Sequence, residues 1–301
     1  MTEILNNYYM VYQVKRPADK LTVKVRNLDY RVYRWGQPDA RPLFLLHGWA
    51  DTGMSFQFLA DAMPDEWCLL APDWRGFGDS GWNRQGYWFP DYLADLEVLL
   101  DLFAGDMQVA LVGHSMGGNV VLLYAGIRPG RISHVVTMEQ FGLADGDPAA
   151  APERYAKWLD QWRVPPVNLE YADIEAMENR LQFLAPHLPG DRAAFLAPYW
   201  CKTNAQDRLV SKIDPGHKRV NPVLYRRAEA RACWSKISAK VMLCLGEESE
   251  FFERFHGDSL GQDFKSCFTA LHEVVIPHSG HMLHLDQPEQ TASALQEFLR
   301  R

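Results

Sequence analysis

The chain has 301 residues, of which 47% are apolar and 23% are charged, and these proportions exclude a disordered chain, a coiled coil or a fibrous repeat. Lysine and arginine number 31 and aspartate and glutamate 38, a formal net charge of −7. With no long run of one sign, the chain lacks the electrostatic footprint of a nucleic-acid-binding protein, so we expect no nucleic-acid partner. The length suits one large α/β domain, alone or with an insertion.

The cysteines and the first residues indicate a reduced, cytoplasmic setting. The five cysteines are an odd number and form no Cys-x-x-Cys pair, so we expect neither a disulfide framework nor a zinc site. Residues 1–16 carry an acidic residue at position 3 and polar residues between short apolar stretches, which is unlike a signal peptide. No window approaches the apolar length of a membrane span. We therefore expect a cytoplasmic protein without a membrane span.

The first half of the chain alternates short apolar runs with helix-length segments. Strands are predicted at 21–25, 30–35, 43–46, 67–71, 108–112 and 132–138, and helices at 54–63, 91–103 and 116–126. This alternation predicts a mostly parallel sheet with helices on both faces.

The alternation stops at about residue 142. From there to residue 235 the sequence is mainly helical in pattern, rich in tryptophan, proline and charge, and shows no clear buried strand. Strands are predicted again at 240–245 and 272–276, and a helix at 289–299. We therefore predict a core in two parts, 1–141 and 236–301, interrupted by a helical cap over 142–235.

The strongest motif is the G-x-S-x-G pattern in GHSMGG at 113–118, which follows a predicted strand and opens a predicted helix. In that context the pattern is typical of a nucleophile elbow, a sharp turn that exposes a serine hydroxyl at the carboxyl edge of a sheet. Glycines are needed there because larger side chains would clash with the strand and the helix. The candidate nucleophile is therefore Ser115.

Four segments of the chain resemble the α/β-hydrolase superfamily. They are LFLLHGW at 43–49, PDWRGFGDS at 72–80, GHSMGG at 113–118 and GHMLHLDQPE at 280–289. The resemblance extends from about residue 21 to the C-terminus, apart from the divergent segment 142–235. It implies an eight-stranded, mostly parallel sheet with helices on both faces, a mainly helical cap inserted after the sixth strand, and an esterase-like serine hydrolase.

The resemblance points to His281 as the base, because the family pattern places a glycine directly before the base and Gly280 stands there. A serine is a poor nucleophile without an adjacent base, and a histidine can take its proton and return it to the leaving group. The competing candidates are His278 and His284, three residues to either side.

The acid of the triad has two candidate places. Many members of the superfamily carry it in a G-x-x-D pattern after a later strand, but the third residue after Gly246 is Ser249. Other members, such as the haloalkane dehalogenases with a glutamate acid, carry it after the preceding strand. Glu139 directly follows that strand here. We therefore expect Glu139 to be the acid, with Glu248 and Glu250 as alternatives.

A glutamate that ends a buried apolar strand needs a partner, because an unpaired buried charge is costly. His281 is the partner that we expect for Glu139. We expect the backbone amides of Met116, directly after the nucleophile, and of Trp49 to form the oxyanion hole. The residues that we expect in a substrate pocket are His47, Trp88, Phe141 and Trp158.

These residues predict a serine hydrolase that cleaves an ester or related acyl bond of a small, largely apolar substrate through an acyl-enzyme. The same fold leaves open a carbon–carbon bond hydrolase, a cofactor-free dioxygenase and a non-catalytic binding module. No dinucleotide fingerprint, P-loop or metal-spaced cluster is present, so we expect no cofactor and no metal. We expect a small-molecule ester-like substrate and a monomer or homodimer.

Overall fold

The computed structural model of the chain describes residues 12–301. Residues 1–11, most of the segment that we compared with a signal peptide, lie outside the described residues. All five cysteines are free in the structure. No helix among residues 12–301 is long and apolar enough to cross a membrane.

Eight strands form the central sheet, in the order β1-β2-β4-β3-β5-β6-β10-β11. The antiparallel pairs are β1 with β2 and β2 with β4, and every other neighbouring pair is parallel. The strands of the chain are β1 Asp19–Val25, β2 Leu28–Trp35, β3 Arg41–Leu46, β4 Trp67–Pro72, β5 Val109–His114, β6 Ile132–Met138, β7 Glu170–Tyr171, β8 Cys201–Thr203, β9 Leu209–Ser211, β10 Lys240–Gly246 and β11 Leu271–Ile276. The predicted fold class is confirmed.

Helices cover both faces of this sheet, and one hydrophobic core lies on each side. The helices are α1 Gln57–Ala62, α2 Phe89–Ala104, α3 Met116–Ile127, α4 Ala151–Arg163, α5 Ile174–Leu184, α6 Gly190–Trp200, α7 Arg227–Trp234, α8 Glu250–Gly257, α9 Ser259–Lys265, α10 Leu283–Asp286 and α11 Pro288–Leu299. Because both faces are covered, the central strands β4 and β5 are buried along their whole length, which explains their nearly continuous apolar sequence. The predicted helix over 54–63 is instead a 3₁₀ turn, Gly53–Phe56, followed by α1.

The segment after β6 contains short strands as well as helices. β7, β9 and β8 form an antiparallel three-stranded sheet, in a region where the sequence showed no clear buried strand. α7 ends the segment and packs closely on α3, where a Cβ added to Gly126 would lie 2.0 Å from the carbonyl oxygen of Cys233. The division into core and cap at residues 142 and 235 stays a prediction.

Candidate active site

Ser115 lies in a strained turn between β5 and α3. Its φ of 50° is in the left-handed region, which is uncommon for a residue with a side chain. The flanking glycines allow this turn, because a Cβ on Gly113 would lie 2.3 Å from the carbonyl oxygen of Gly117. A Cβ on Gly117 would lie 2.1 Å from the carbonyl oxygen of Leu46. The local sequence therefore holds Ser115 at the carboxyl edge of the sheet, at the N-terminus of α3.

His281 is fixed by contacts on three sides. Its Nδ1 lies 3.2 Å from Oε2 of Glu139. Its ring stacks on Phe251 with 4.9 Å between the ring centroids, and its carbonyl oxygen lies 2.8 Å from Nε2 of His114. Nε2 of His281 has no hydrogen-bond partner among residues 12–301. That nitrogen is therefore available to a ligand in the cavity that His281 and Ser115 line together.

Glu139 directly follows β6 and is completely buried. One carboxylate oxygen accepts a 2.6 Å hydrogen bond from the amide of Gly246. The other accepts a hydrogen bond from the hydroxyl of Ser249 and faces His281. These partners stabilise a buried carboxylate that would otherwise be costly, and they orient it toward the imidazole.

The alternative acids and bases lie elsewhere. Glu248 is 47% exposed and its carboxylate lies 2.8 Å from Nε2 of His187. Glu250 is exposed at the start of α8. His278 is 76% exposed near Glu248, whereas His284 is buried and packs against Phe56 with the two ring planes tilted by 32°. Glu139 is therefore the carboxylate that the structure brings to His281.

Two backbone amides near Ser115 are free of other partners. Neither the amide of Met116, the first residue of α3, nor that of Trp49 donates a hydrogen bond to another described residue. The Gly48 position that precedes Trp49 packs against the elbow, since a Cβ there would lie 3.2 Å from the Cβ of Ser115. Both amides are therefore available to a ligand, as the sequence predicts for an oxyanion hole.

No direct hydrogen bond joins the Ser115 hydroxyl to His281 among the described residues. Catalytic hydrogen bonds are often long in enzymes without substrate and shorten when substrate binds. The two side chains nevertheless line one cavity.

Two cavities share Ser115 and Trp49 in their walls. We call the larger one the wide cavity; it has a volume of about 500 Å³. We call the smaller one the narrow cavity; it has a volume of about 290 Å³ and contains His281. The apolar residues of the wide cavity come mainly from α2, α3 and the region before α7: Phe89, Leu93, Leu123, Ile127, Leu143 and Leu224.

The four expected pocket residues fall into two groups. Trp88 and Trp158 line a third cavity of about 160 Å³ together with Trp49. Phe141 does not line the cavities at Ser115; it is buried against Phe255, with 5.1 Å between ring centroids.

His47 is also a correction to the expected pocket. It is completely buried, its Nε2 accepts a hydrogen bond from the amide of Trp74, and its Nδ1 lies 2.7 Å from the carbonyl oxygen of Gly48. Burial lowers the pKa of His47 to about 3. This side chain therefore holds the loop that carries Trp49 and does not face the substrate cavities.

One buried group in the described chain has the donor atoms for a metal. Atoms of Asp51, His114 and His284 lie within 4.8 Å of one another. Nε2 of His284 is 3.9 Å from Oδ2 of Asp51, whereas ligands of a tetrahedral zinc ion with bonds of 2.0–2.1 Å stand about 3.4 Å apart. The group would have to contract to hold such an ion.

Ser249 has a structural role at this site that the sequence did not predict. Its hydroxyl oxygen caps the N-terminus of α8 by accepting a 3.1 Å hydrogen bond from the amide of Phe251. The same hydroxyl donates a hydrogen bond to the carboxylate of Glu139. One residue thus links the buried carboxylate to the helix whose Phe251 stacks on His281. The signal was present, because Ser249 occupies the position where a G-x-x-D pattern would place the acid.

Comparisons with known proteins identify the family of the chain. The model of the α/β hydrolase fold family matches residues 41–288. A serine hydrolase-like protein of Danio rerio is 26% identical over 97% of this chain and 92% of its own length. A protein phosphatase methylesterase of Candida glabrata is 22% identical over 95% of this chain and 77% of its own length.

Solved structures share the fold. The thioesterase domain from the curacin biosynthetic pathway superposes with a TM-score of 0.83 at 21% identity, covering 93% of this chain and 99% of that domain. An esterase of Mycobacterium tuberculosis superposes with a TM-score of 0.73 at 20% identity, covering 95% of this chain and 92% of its own.

The family match covers most of the chain and defines a hydrolase of the α/β fold. The chain belongs to the α/β hydrolase fold family, and it is serine hydrolase-like.

Proposed function

We propose that this protein is a serine hydrolase that cleaves an ester or related acyl bond of a small, largely apolar substrate through a Ser115–His281–Glu139 triad. The observation that carries the proposal is the 3.2 Å contact between the buried Glu139 and Nδ1 of His281. It leaves the other ring nitrogen for the cavity that His281 shares with Ser115. This is the arrangement that a base needs in order to activate a serine.

In the first half-reaction, Ser115 Oγ attacks the substrate carbonyl while His281 takes the hydroxyl proton. The bond to the leaving group then breaks, and His281 gives the proton to the departing oxygen or sulfur. In the second half-reaction the same histidine takes a proton from water, which attacks the acyl-enzyme. The acid is released and Ser115 is regenerated with its proton.

Glu139 and the free amides supply the electrostatic stabilisation in this mechanism. The carboxylate holds His281 in the tautomer with a proton on Nδ1 and stabilises the imidazolium that forms. The amides of Trp49 and Met116 bind the developing oxyanion. Because both donors are already in place, one in the loop after β3 and the other at the N-terminus of α3, little reorganisation accompanies the reaction.

The wide cavity supports an apolar acyl group. Its lining is largely apolar and includes four leucines, an isoleucine and a phenylalanine, and burial of apolar surface is the main source of affinity for such ligands. Similar proteins include an esterase, a methylesterase and a thioesterase, names that all describe acyl-bond hydrolysis.

The test is pre-steady-state hydrolysis of 4-nitrophenyl hexanoate. The proposal predicts hydrolysis through Ser115, with a burst of nitrophenol wherever deacylation is slower than acylation, and loss of turnover in Ser115→Ala. Ser238→Ala, which changes an exposed serine that donates only to the carbonyl of Pro129, is the matched control and keeps wild-type turnover. Unchanged turnover in Ser115→Ala rejects the proposal, and oxygen uptake with a hydroxyquinolone in its place would support a cofactor-free dioxygenase.

A further inference from the structure

The two cavities at Ser115 differ in which one contains the histidine. His281 lines the narrow cavity and is absent from the lining of the wide one. In acyl transfer the protonated histidine must reach the leaving-group atom. The leaving group of the proposed reaction therefore occupies the narrow cavity, and the acyl group occupies the wide cavity.

Cationic side chains line the narrow cavity. Arg180 on α5 and Lys218 both line it, and neither forms an ion pair with a described carboxylate. The guanidinium of Arg180 lies 5.3 Å from the ring centroid of Phe183, and Nζ of Lys218 donates a 2.7 Å hydrogen bond to the carbonyl of Val167. Neither positive charge therefore has a carboxylate oxygen within 4.0 Å among the described residues.

Asp51 is the acidic residue in this lining. It is buried, and its Oδ1 accepts hydrogen bonds from the amide of Thr52 and the hydroxyl of Ser55, so its hydrogen-bond partners are neighbours other than Arg180 and Lys218. The positive lining is local to this cavity, because the whole chain has a formal net charge of −7.

The wide cavity has a different charge balance. Its charged residues, Arg226 and Glu229, have opposite signs, and their charged atoms lie 3.8 Å apart in an exposed pair. An anionic group thus meets two unpaired cations in one cavity and a neutral, largely apolar lining in the other.

We propose that the narrow cavity selects a leaving group that carries a carboxylate or phosphate, and that Arg180 and Lys218 recognise this anion. The substrate class is then an ester or thioester that joins an apolar acyl chain to an anionic alcohol or thiol. The inference rests on the proposed function and deepens it. Arg180 and Lys218 are specificity-determining residues here, while bond making and breaking stay with Ser115 and His281.

Matched substrates test the carboxylate form of this proposal. We would compare 4-nitrophenyl hexanoate with 3-carboxy-4-nitrophenyl hexanoate, which adds one negative charge to a similar leaving group. The wild type is expected to favour the carboxylated ester in kcat/KM. The ratio of the two kcat/KM values is expected to fall about threefold in Arg180→Gln or Lys218→Gln and about tenfold in the double variant, as for partly exposed charge contacts. The effect should appear in KM and weaken with added salt.

A second pair of substrates tests whether the anion on the leaving group is a phosphate. S-hexanoyl pantetheine and S-hexanoyl 4′-phosphopantetheine differ in one phosphate on the leaving group. Preference for the phosphorylated thioester that is lost in the double variant assigns the cavity to a phosphate. Preference confined to the carboxylated ester assigns it to a carboxylate.

The control and the opposing results are distinct. Arg208→Gln removes an exposed cation between β8 and β9 that lines neither cavity, and it should keep the wild-type ratios. Equal turnover of charged and neutral substrates by the wild type, or ratios that do not change in the double variant, overturns this inference while the proposed function stands. Turnover that persists in Ser115→Ala overturns both.

Discussion

Replacement of Glu139 by glutamine should abolish most of the activity while keeping the fold. The amide oxygen of a glutamine can still accept the hydrogen bond from the amide of Gly246, and its NH2 group can donate to the hydroxyl oxygen of Ser249. What the variant loses is the negative charge beside His281. It also loses an obligate acceptor, so the side chain no longer selects the tautomer with a proton on Nδ1.

The expected loss of activity follows from the distance between Glu139 and His281. Two unit charges 3.2 Å apart interact by about 5 kcal/mol at the effective dielectric constant of about 20 that suits protein sites. Since 1.36 kcal/mol corresponds to a factor of ten in rate, full loss of this stabilisation of the imidazolium lowers kcat by about 10³- to 10⁴-fold. The complete burial of Glu139 limits solvent screening of the pair, and the 36% exposure of the His281 side chain makes the lower end of this range the expected one.

The assay is kcat and KM for 4-nitrophenyl hexanoate across pH 5 to 9, with circular dichroism to confirm folding. Glu248→Gln is the matched control, because Glu248 contacts His187 and His278 and does not contact His281. We expect that control to stay within twofold of the wild type. A Glu139→Gln enzyme within fivefold of the wild type, or an equal loss in Glu248→Gln, would refute the reasoning.

Three further predictions concern the turn, the buried histidines and the acyl cavity. Gly117→Ala should lower the free energy of unfolding measured in urea by at least about 3 kcal/mol, because the new Cβ would lie 2.1 Å from the carbonyl oxygen of Leu46. Gly130→Ala, where a Cβ would have no neighbour within 4 Å, should lower it by less than about 1 kcal/mol. Equal losses in the two variants would contradict the argument. Burial lowers the pKa of His284 from 6.5 to about 3, so this residue is protonated only in the unfolded chain between those values, and wild-type stability falls as pH drops through that window. His284→Gln should reduce that loss by about 1.4 kcal/mol per pH unit, whereas an unchanged slope would mean that His284 titrates normally. Leu123→Trp should fill part of the wide cavity and lower kcat/KM for 4-nitrophenyl decanoate at least tenfold relative to the acetate; a parallel loss for both esters would place the acyl chain elsewhere.

The sequence predicts the parallel core well because buried strands have a local signature. The run that predicted a strand at 132–138 coincides with β6, and the other core strands differ by one or two residues at their ends. Continuous apolar residues between turn signals are sufficient for the central strands, since these are covered on both faces. The same rule predicts the positions of two candidate site residues, because Ser115 and Glu139 each directly follow such a strand.

The segment after β6 is less predictable because its structure depends on distant pairing. β7 has two residues, and it pairs with β9 about 40 residues later. Strands of that length carry no readable alternation. The pocket assignment failed for Phe141 for a related reason: an aromatic ring two residues past Glu139 fits a cavity wall and a core equally well until Phe255 is seen to cover it.

The central claim is that Ser115 is a nucleophile activated by His281. Intact-mass and peptide mass spectrometry after reaction with a fluorophosphonate tests it most directly. The triad predicts one adduct per chain, located on Ser115, that forms at least a hundredfold more slowly in His281→Ala. An adduct on another residue, or labelling of Ser115 at the same rate without His281, would contradict the claim.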